Sequence, residues 1–239
     1  QIFLILLPTF VLVKIVSHKP TEYLRLKTPN PLAIIHAVVG VFSLQQILQV
    51  YLLFQEKIPL PKFVRDFQDQ LKEVEEVMKS IAGAHSIPEL FFVILIIAVI
   101  PSIVEEFFFR GLIQRTFENG LGSTAGFVLT GIIFGAFHLN PFSVIPLGVL
   151  GIYLGFLTTR SGSVWVSSSA HFFNNALACL ALYFNVQEDA IITSDPSMMK
   201  TSEILMILGL MMTIFLISTY YFLKVTAPKP EIAQGEENL

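Results

Sequence analysis

The stretch FFVILIIAVIPSIVEEFFFRGL, residues 91–112, decides how this chain is read. It runs apolar to Val104, with only Pro101 and Ser102 as interruptions. It then places Glu105 and Glu106 side by side, with Arg110 four residues after Glu106. An ionisable side chain at the centre of a bilayer costs roughly 3 kcal/mol or more and marks a functional site by default. A helix built only to cross lipid has no use for two carboxylates and a guanidinium. Residues four apart share a helix face, so Glu106 can pair with Arg110. Glu105 is turned about 100° away and is free to point elsewhere.

The composition agrees with a membrane setting. Of 239 residues, 54% are hydrophobic and only 14% charged, and the mean hydropathy is +0.70. Soluble domains run at about 45–50% apolar and about 25% charged. The apolar residues fall into seven blocks, approximately 2–16, 32–54, 88–104, 123–139, 142–158, 163–184 and 203–223. A span needs roughly 20 residues, so the expected fold is all-α: a polytopic bundle of about seven transmembrane helices in one domain, residues 1–226. Residues 2–16 read as membrane helix rather than a leader. The net charge of −3 comes with no basic cluster of the kind nucleic acid requires. Cys179 is the single cysteine, so no disulfide forms within the chain, and it reads as a small buried hydrophobe.

One long segment departs from this pattern. Residues 62–82 read KFVRDFQDQLKEVEEVMKSIA, with Phe63, Phe67, Leu71, Val74, Met78 and Ile81 at helical spacing and charges around them. That pattern is an amphipathic surface helix, lying on the bundle or at the lipid interface, or forming a lid over a site. The segment after residue 226, APKPEIAQGEENL, is polar and proline-containing and reads as a disordered tail. Lys19, Arg25 and Lys27 fall in the first loop, Arg115 in the third and Arg160 in the fifth, with Lys224 near the end. All belong to one side, which places the C-terminal end in the cytoplasm.

Two later blocks carry polar groups that a plain span would omit. Residues 134–138 read FGAFH, and residues 171–175 read HFFNN. Phe134 and His138 share a face, as do His171 and Asn175. Glu105, His138, His171 and Asn175 then come from three helices toward one place. A carboxylate and a histidine together can take a proton from water. A second histidine and an amide can donate to the oxyanion that forms when water attacks a carbonyl. Gly131, Gly135, Gly148, Gly151 and Gly155 read as small residues that let helices approach closely.

EEFFFR, FGAFH and HFFNN match EExxxR, FxxxH and HxxxN, in that order and on separate spans. In this the chain resembles the CPBP family: type II, glutamate-dependent CaaX proteases and their bacterial Abi-like relatives. The resemblance implies an integral-membrane endopeptidase acting on a membrane-associated protein or peptide, with a bacterial cell membrane as the expected location. By it, Glu105 activates the water and His138 assists, while His171 and Asn175 form the oxyanion hole. Glu106, Arg110 and Phe134 support them. No cofactor is required by this layout, although Glu105, His138 and His171 would also serve as a catalytic zinc set. The competing functions are a non-catalytic immunity or scaffold protein of the same fold and an ion-coupled transporter. Intramembrane Glu, His and Arg also line ion paths, but no inverted repeat is visible.

Overall fold

A computed structural model of the protein describes residues 1–184 and 200–227. Residues 185–199 and the expected polar tail from residue 228 onward lie outside the described residues, as do the side chains of Met78 and Ile81. The described residues form nine helical segments and no strand. They are α1 (Ile2–Val16), α2 (Pro20–Tyr23), α3 (Pro31–Glu56), α4 (Lys62–Ala82), α5 (Ile87–Leu121), α6 (Ser123–Phe137), α7 (Val144–Ser161), α8 (Val164–Tyr183) and α9 (Thr201–Val225). The protein is a helical membrane bundle.

Local chemistry sets the ends of these elements. Asn30 accepts from the Leu32 N–H ahead of Pro31, which opens α3. Ser86 caps α5, with Pro88 in the first turn. Such caps satisfy N–H groups that a helix start leaves free. Gly162, at φ +66°, closes α7 by donating to the Thr158 carbonyl.

α5 differs from its sequence reading. The apolar block was expected to end at 104, with Arg115 in a loop. The helix instead continues to Leu121, 35 residues in all. Its last turns are amphipathic and bury Gln114 against α7, and no proline follows Pro101 to end the helix before Gly120 and Gly122. At about 1.5 Å per residue the helix is roughly 52 Å long, well beyond the roughly 30 Å hydrocarbon core. Glu105 and Glu106 stand at the middle of that length. The helix widens into π-type turns over Ile94–Val99 and Phe107–Ile113. Pro101 explains the first, because it cannot donate to the carbonyl four residues earlier and its ring crowds that position.

Four helices, α3, α5, α7 and α9, are long and apolar enough to cross a membrane by length and composition. α1 and α6 are shorter apolar helices. α8 has 20 residues but carries Ser167, Ser168, His171, Asn174 and Asn175 along its length. The seven apolar blocks are therefore seven helices of unequal spanning capacity.

The main core lies where α3, α7, α8 and α9 meet, around Val41, Leu154, Leu157, Val166 and Phe222. α6 and α7 form a close hairpin. A Cβ on Gly135 would come within 2.5 Å of the Val144 carbonyl and 2.9 Å of Gly148 Cα, and one on Gly151 within 3.0 Å of Gly131 Cα. Only glycine permits backbones this close. The turn joining the pair uses Leu139 at φ +56° and Asn140, which accepts from the Phe142 N–H at 3.0 Å. α4 stands apart, with Phe63, Phe67, Val74 and Val77 exposed and an ion pair from Lys72 to Glu56 at 3.3 Å.

Candidate active site

The centre of the site is a buried carboxylate. Glu106 has no exposed surface, and its Oε1 faces Arg110 Nη1 at 3.2 Å and His171 Nδ1 at 3.1 Å. Arg110 is equally buried. It donates through Nη2 to the Gly151 carbonyl at 3.1 Å and lies over the Phe134 ring, 4.6 Å from its centroid. Among the described residues, the Arg110 Nη1 contact with Glu106 lacks hydrogen-bond geometry and is an ion pair.

Phe134 gathers the rest. Its ring meets the His138 ring edge-on at 4.8 Å and the His171 ring at 6.0 Å, with Phe109 at 5.1 Å. The second and third motifs therefore meet at one aromatic ring, which also carries the arginine of the first. His138 follows the end of α6 and is exposed, and its Nδ1 is 2.9 Å from the Phe134 carbonyl. A carbonyl only accepts, so Nδ1 carries the hydrogen. In the neutral ring, Nε2 is then the basic nitrogen. The same logic applies to His171. An ionised Glu106 only accepts, so Nδ1 donates to it. His171 can therefore donate from Nε2 only when doubly protonated, with the Glu106 carboxylate facing that charge.

Glu105 and Asn175 make different contacts. Glu105 is half-buried and accepts from Gln1 Nε2 at 3.1 Å, and no hydrogen bond joins it to either histidine among the described residues. The carboxylate that reaches His171 is its neighbour Glu106. Asn175 donates from Nδ2 to the Ile97 carbonyl at 3.2 Å, and its Oδ1 accepts from Asn174 at 3.4 Å. Pro101 is the reason that carbonyl is in need of a donor, since the N–H four residues on is missing. Asn175 keeps its second amide N–H.

The site is held by a ladder that the motifs do not show. Arg110 donates to the Gly151 carbonyl. One turn on, Gln114 Nε2 donates to the Gly155 carbonyl at 3.1 Å. One turn further, Thr159 Oγ1 donates to Glu118 Oε1 at 2.9 Å. Glu118 also pairs with Arg25, which anchors the segment between α2 and α3. A step of four residues overshoots an α-helical turn by about 40°, so the stripe Glu106, Arg110, Gln114, Glu118 would wind off its face. The widened turn over Phe107–Ile113 reduces the rotation per residue and keeps it aligned with α7. The spacing of four is legible in the sequence, but it does not by itself mark Gln114 and Glu118, which look like loop residues.

The zinc set is not assembled. Among the described residues, no three His, Cys, Asp or Glu side chains are gathered closely enough to hold an ion. Glu105, His138 and His171 do not fit a metal in this arrangement.

Comparison with known families matches residues 87–177 to "Type II CAAX prenyl endopeptidase Rce1-like". The match is one of similarity over that segment, which is less than half of the chain. The matched segment begins at the first residue of α5 and ends within α8, two residues past Asn175, so it contains all three motifs. No curated protein and no solved structure matches the chain.

Proposed function

We propose that the protein is an intramembrane endopeptidase that hydrolyses a peptide bond in a membrane-associated, CaaX-type or lipidated substrate. The observation that carries this reading is the meeting of His138 and His171 on the Phe134 ring, directly over the buried Glu106–Arg110 pair. An ion pair serving only the fold has no need of two histidines with ring nitrogens left over.

In the proposed reaction, Glu105 and His138 Nε2 hold a water, and Glu105 takes its proton. The hydroxide attacks the scissile carbonyl carbon. The oxyanion is received by Nε2–H of a doubly protonated His171 and by the second amide N–H of Asn175. Collapse breaks the C–N bond, and Glu105 returns the proton to the departing amine. Glu106 supports His171 through Nδ1 and is itself held by Arg110. In the present structure Glu105 hydrogen-bonds to Gln1, so reaction requires it to exchange that partner for the water. The distribution of Lys and Arg favours an orientation with the C-terminal end cytoplasmic.

The test is cleavage of a prenylated CaaX peptide by the purified protein reconstituted in liposomes. Glu105→Gln should lower turnover by about 100–10,000-fold, the range for loss of a positioned acid–base group. Wild-type turnover in both Glu105→Gln and His138→Ala would refute the mechanism. A Glu105→Gln variant active in vivo would favour the scaffold reading instead.

A further inference from the structure

An open pocket of about 310 Å³ lies at the opposite end of α5 from its start, lined by Ser17, His18, Lys19, Glu22, Tyr23 and Arg115. Its walls come from the turn between α1 and α2 and from the last turns of α5. Tyr23 is tied to α5 by a hydroxyl contact with Thr116 at 3.4 Å. The residues just before the pocket are apolar and outward-facing: Ile15 is 74% exposed and Val16 57%. The pocket thus sits where a lipid-facing helix surface gives way to polar groups.

Its two cations are held only in weak, exposed ion pairs, for a definite reason. Glu118, the acid nearest Arg115, is already shared among Arg25, Gln114 and Thr159. Arg115 reaches it only at 3.6 Å and stays 37% exposed. Lys19 pairs with Glu22 at 3.1 Å, but both side chains are about 70% exposed, and such exposed pairs are weak because water screens them. An arriving anion can therefore take both cations at little cost. Further cations surround this end. Lys27 lies beside the α7–α8 junction, where its carbonyl accepts from Ser163 Oγ, and Arg160 donates to the Leu223 carbonyl beside Lys224.

We propose that this pocket binds the phosphate of an anionic phospholipid headgroup, with Arg115 and Lys19 as its cationic ligands and Tyr23 and Ser17 as hydroxyl partners. The acyl chains lie along the exposed face of α1. The site depends on the bundle and its charge distribution, not on the protease reading.

The experiment uses the full chain in nanodiscs of phosphatidylcholine, with and without phosphatidylglycerol, and native mass spectrometry to count retained lipids. Wild type should retain phosphatidylglycerol in preference to phosphatidylcholine. Each of Arg115→Gln and Lys19→Gln should reduce that preference about fivefold, the worth of one basic side chain at an anionic surface. Lys57→Gln, a basic residue after α3, should leave it unchanged. Unaltered thermal unfolding in phosphatidylcholine alone will show that the variants are folded. No preference in wild type, or equal retention by the variants, overturns the proposal. Stabilisation of the detergent-solubilised protein by inorganic phosphate, lost in the same variants, with no lipid preference, overturns the lipid assignment in favour of a soluble phosphate compound.

Discussion

Replacing Arg110 by leucine tests whether the first motif is built around a buried charge. The guanidinium is fully buried, faces Glu106 at 3.2 Å, donates to the Gly151 carbonyl at 3.1 Å and covers Phe134 at 4.6 Å. Removing one partner of a buried pair typically costs about 3–5 kcal/mol, because the other charge stays buried alone. The orphaned Gly151 carbonyl adds about 1–3 kcal/mol. These contributions share one side chain and are not additive, so a total of about 4–6 kcal/mol is expected. The measurement is equilibrium unfolding in detergent micelles, followed by tryptophan fluorescence from Trp165, which packs edge-on against Phe107 at 5.4 Å.

The double variant Glu106→Leu/Arg110→Leu should recover most of that loss. With both charges gone, the desolvation penalty disappears, and a buried pair replaced by apolar groups is often neutral or stabilising. The coupling in the double-mutant cycle should therefore be several kcal/mol. The double variant should nevertheless be inactive, because His171 has lost the carboxylate at its Nδ1. A cost below about 1 kcal/mol for Arg110→Leu, or no recovery in the double variant, would refute a buried charge pair as the centre of the site.

Three further outcomes follow from the same geometry. Asn175→Ala should lower turnover about 100–1,000-fold as an oxyanion donor and cost about 1–3 kcal/mol for the uncapped Ile97 carbonyl. In a Pro101→Ala background, which restores an N–H four residues on, the stability cost should shrink while the turnover loss stays. Equal shrinkage of both would make Asn175 a structural cap only. Gly135→Ala should destabilise by about 1–3 kcal/mol through overpacking, since its Cβ would meet the Val144 carbonyl at 2.5 Å. Gly209→Ala, where no described residue lies within 4 Å of an added Cβ, should be neutral or stabilise by up to about 1 kcal/mol, as measured by thermal unfolding. Gln114→Leu should leave the Gly155 carbonyl and Glu118 short of a donor and lower the unfolding free energy by about 1–3 kcal/mol.

What was legible in the sequence is what periodicity and cost can carry. Charges at membrane depth are expensive, so the Glu105–Arg110 cluster declared itself, and the spacing of four paired Glu106 with Arg110 without a structure. The apolar blocks placed the helices. The extent of α5 is less legible, because its final turns are amphipathic and apolarity alone does not mark them as helix. Gln114, Arg115 and Glu118 look like loop residues until α7 stands beside them. The partners of His171 and Asn175 could not be read at all. Which of two adjacent carboxylates reaches a histidine depends on rotation about the helix axis, and the π-type turns on either side of Glu105 and Glu106 alter that rotation. Counting by 100° separates the two carboxylates correctly but cannot say which one faces α8. Pro101 carries a further signal. A proline inside a span withholds a donor from the carbonyl four residues earlier, and that predicts a side-chain donor from a neighbouring helix. Asn175 is that donor, so the missing hydrogen accounts for its place in the fold, independently of any role in the reaction.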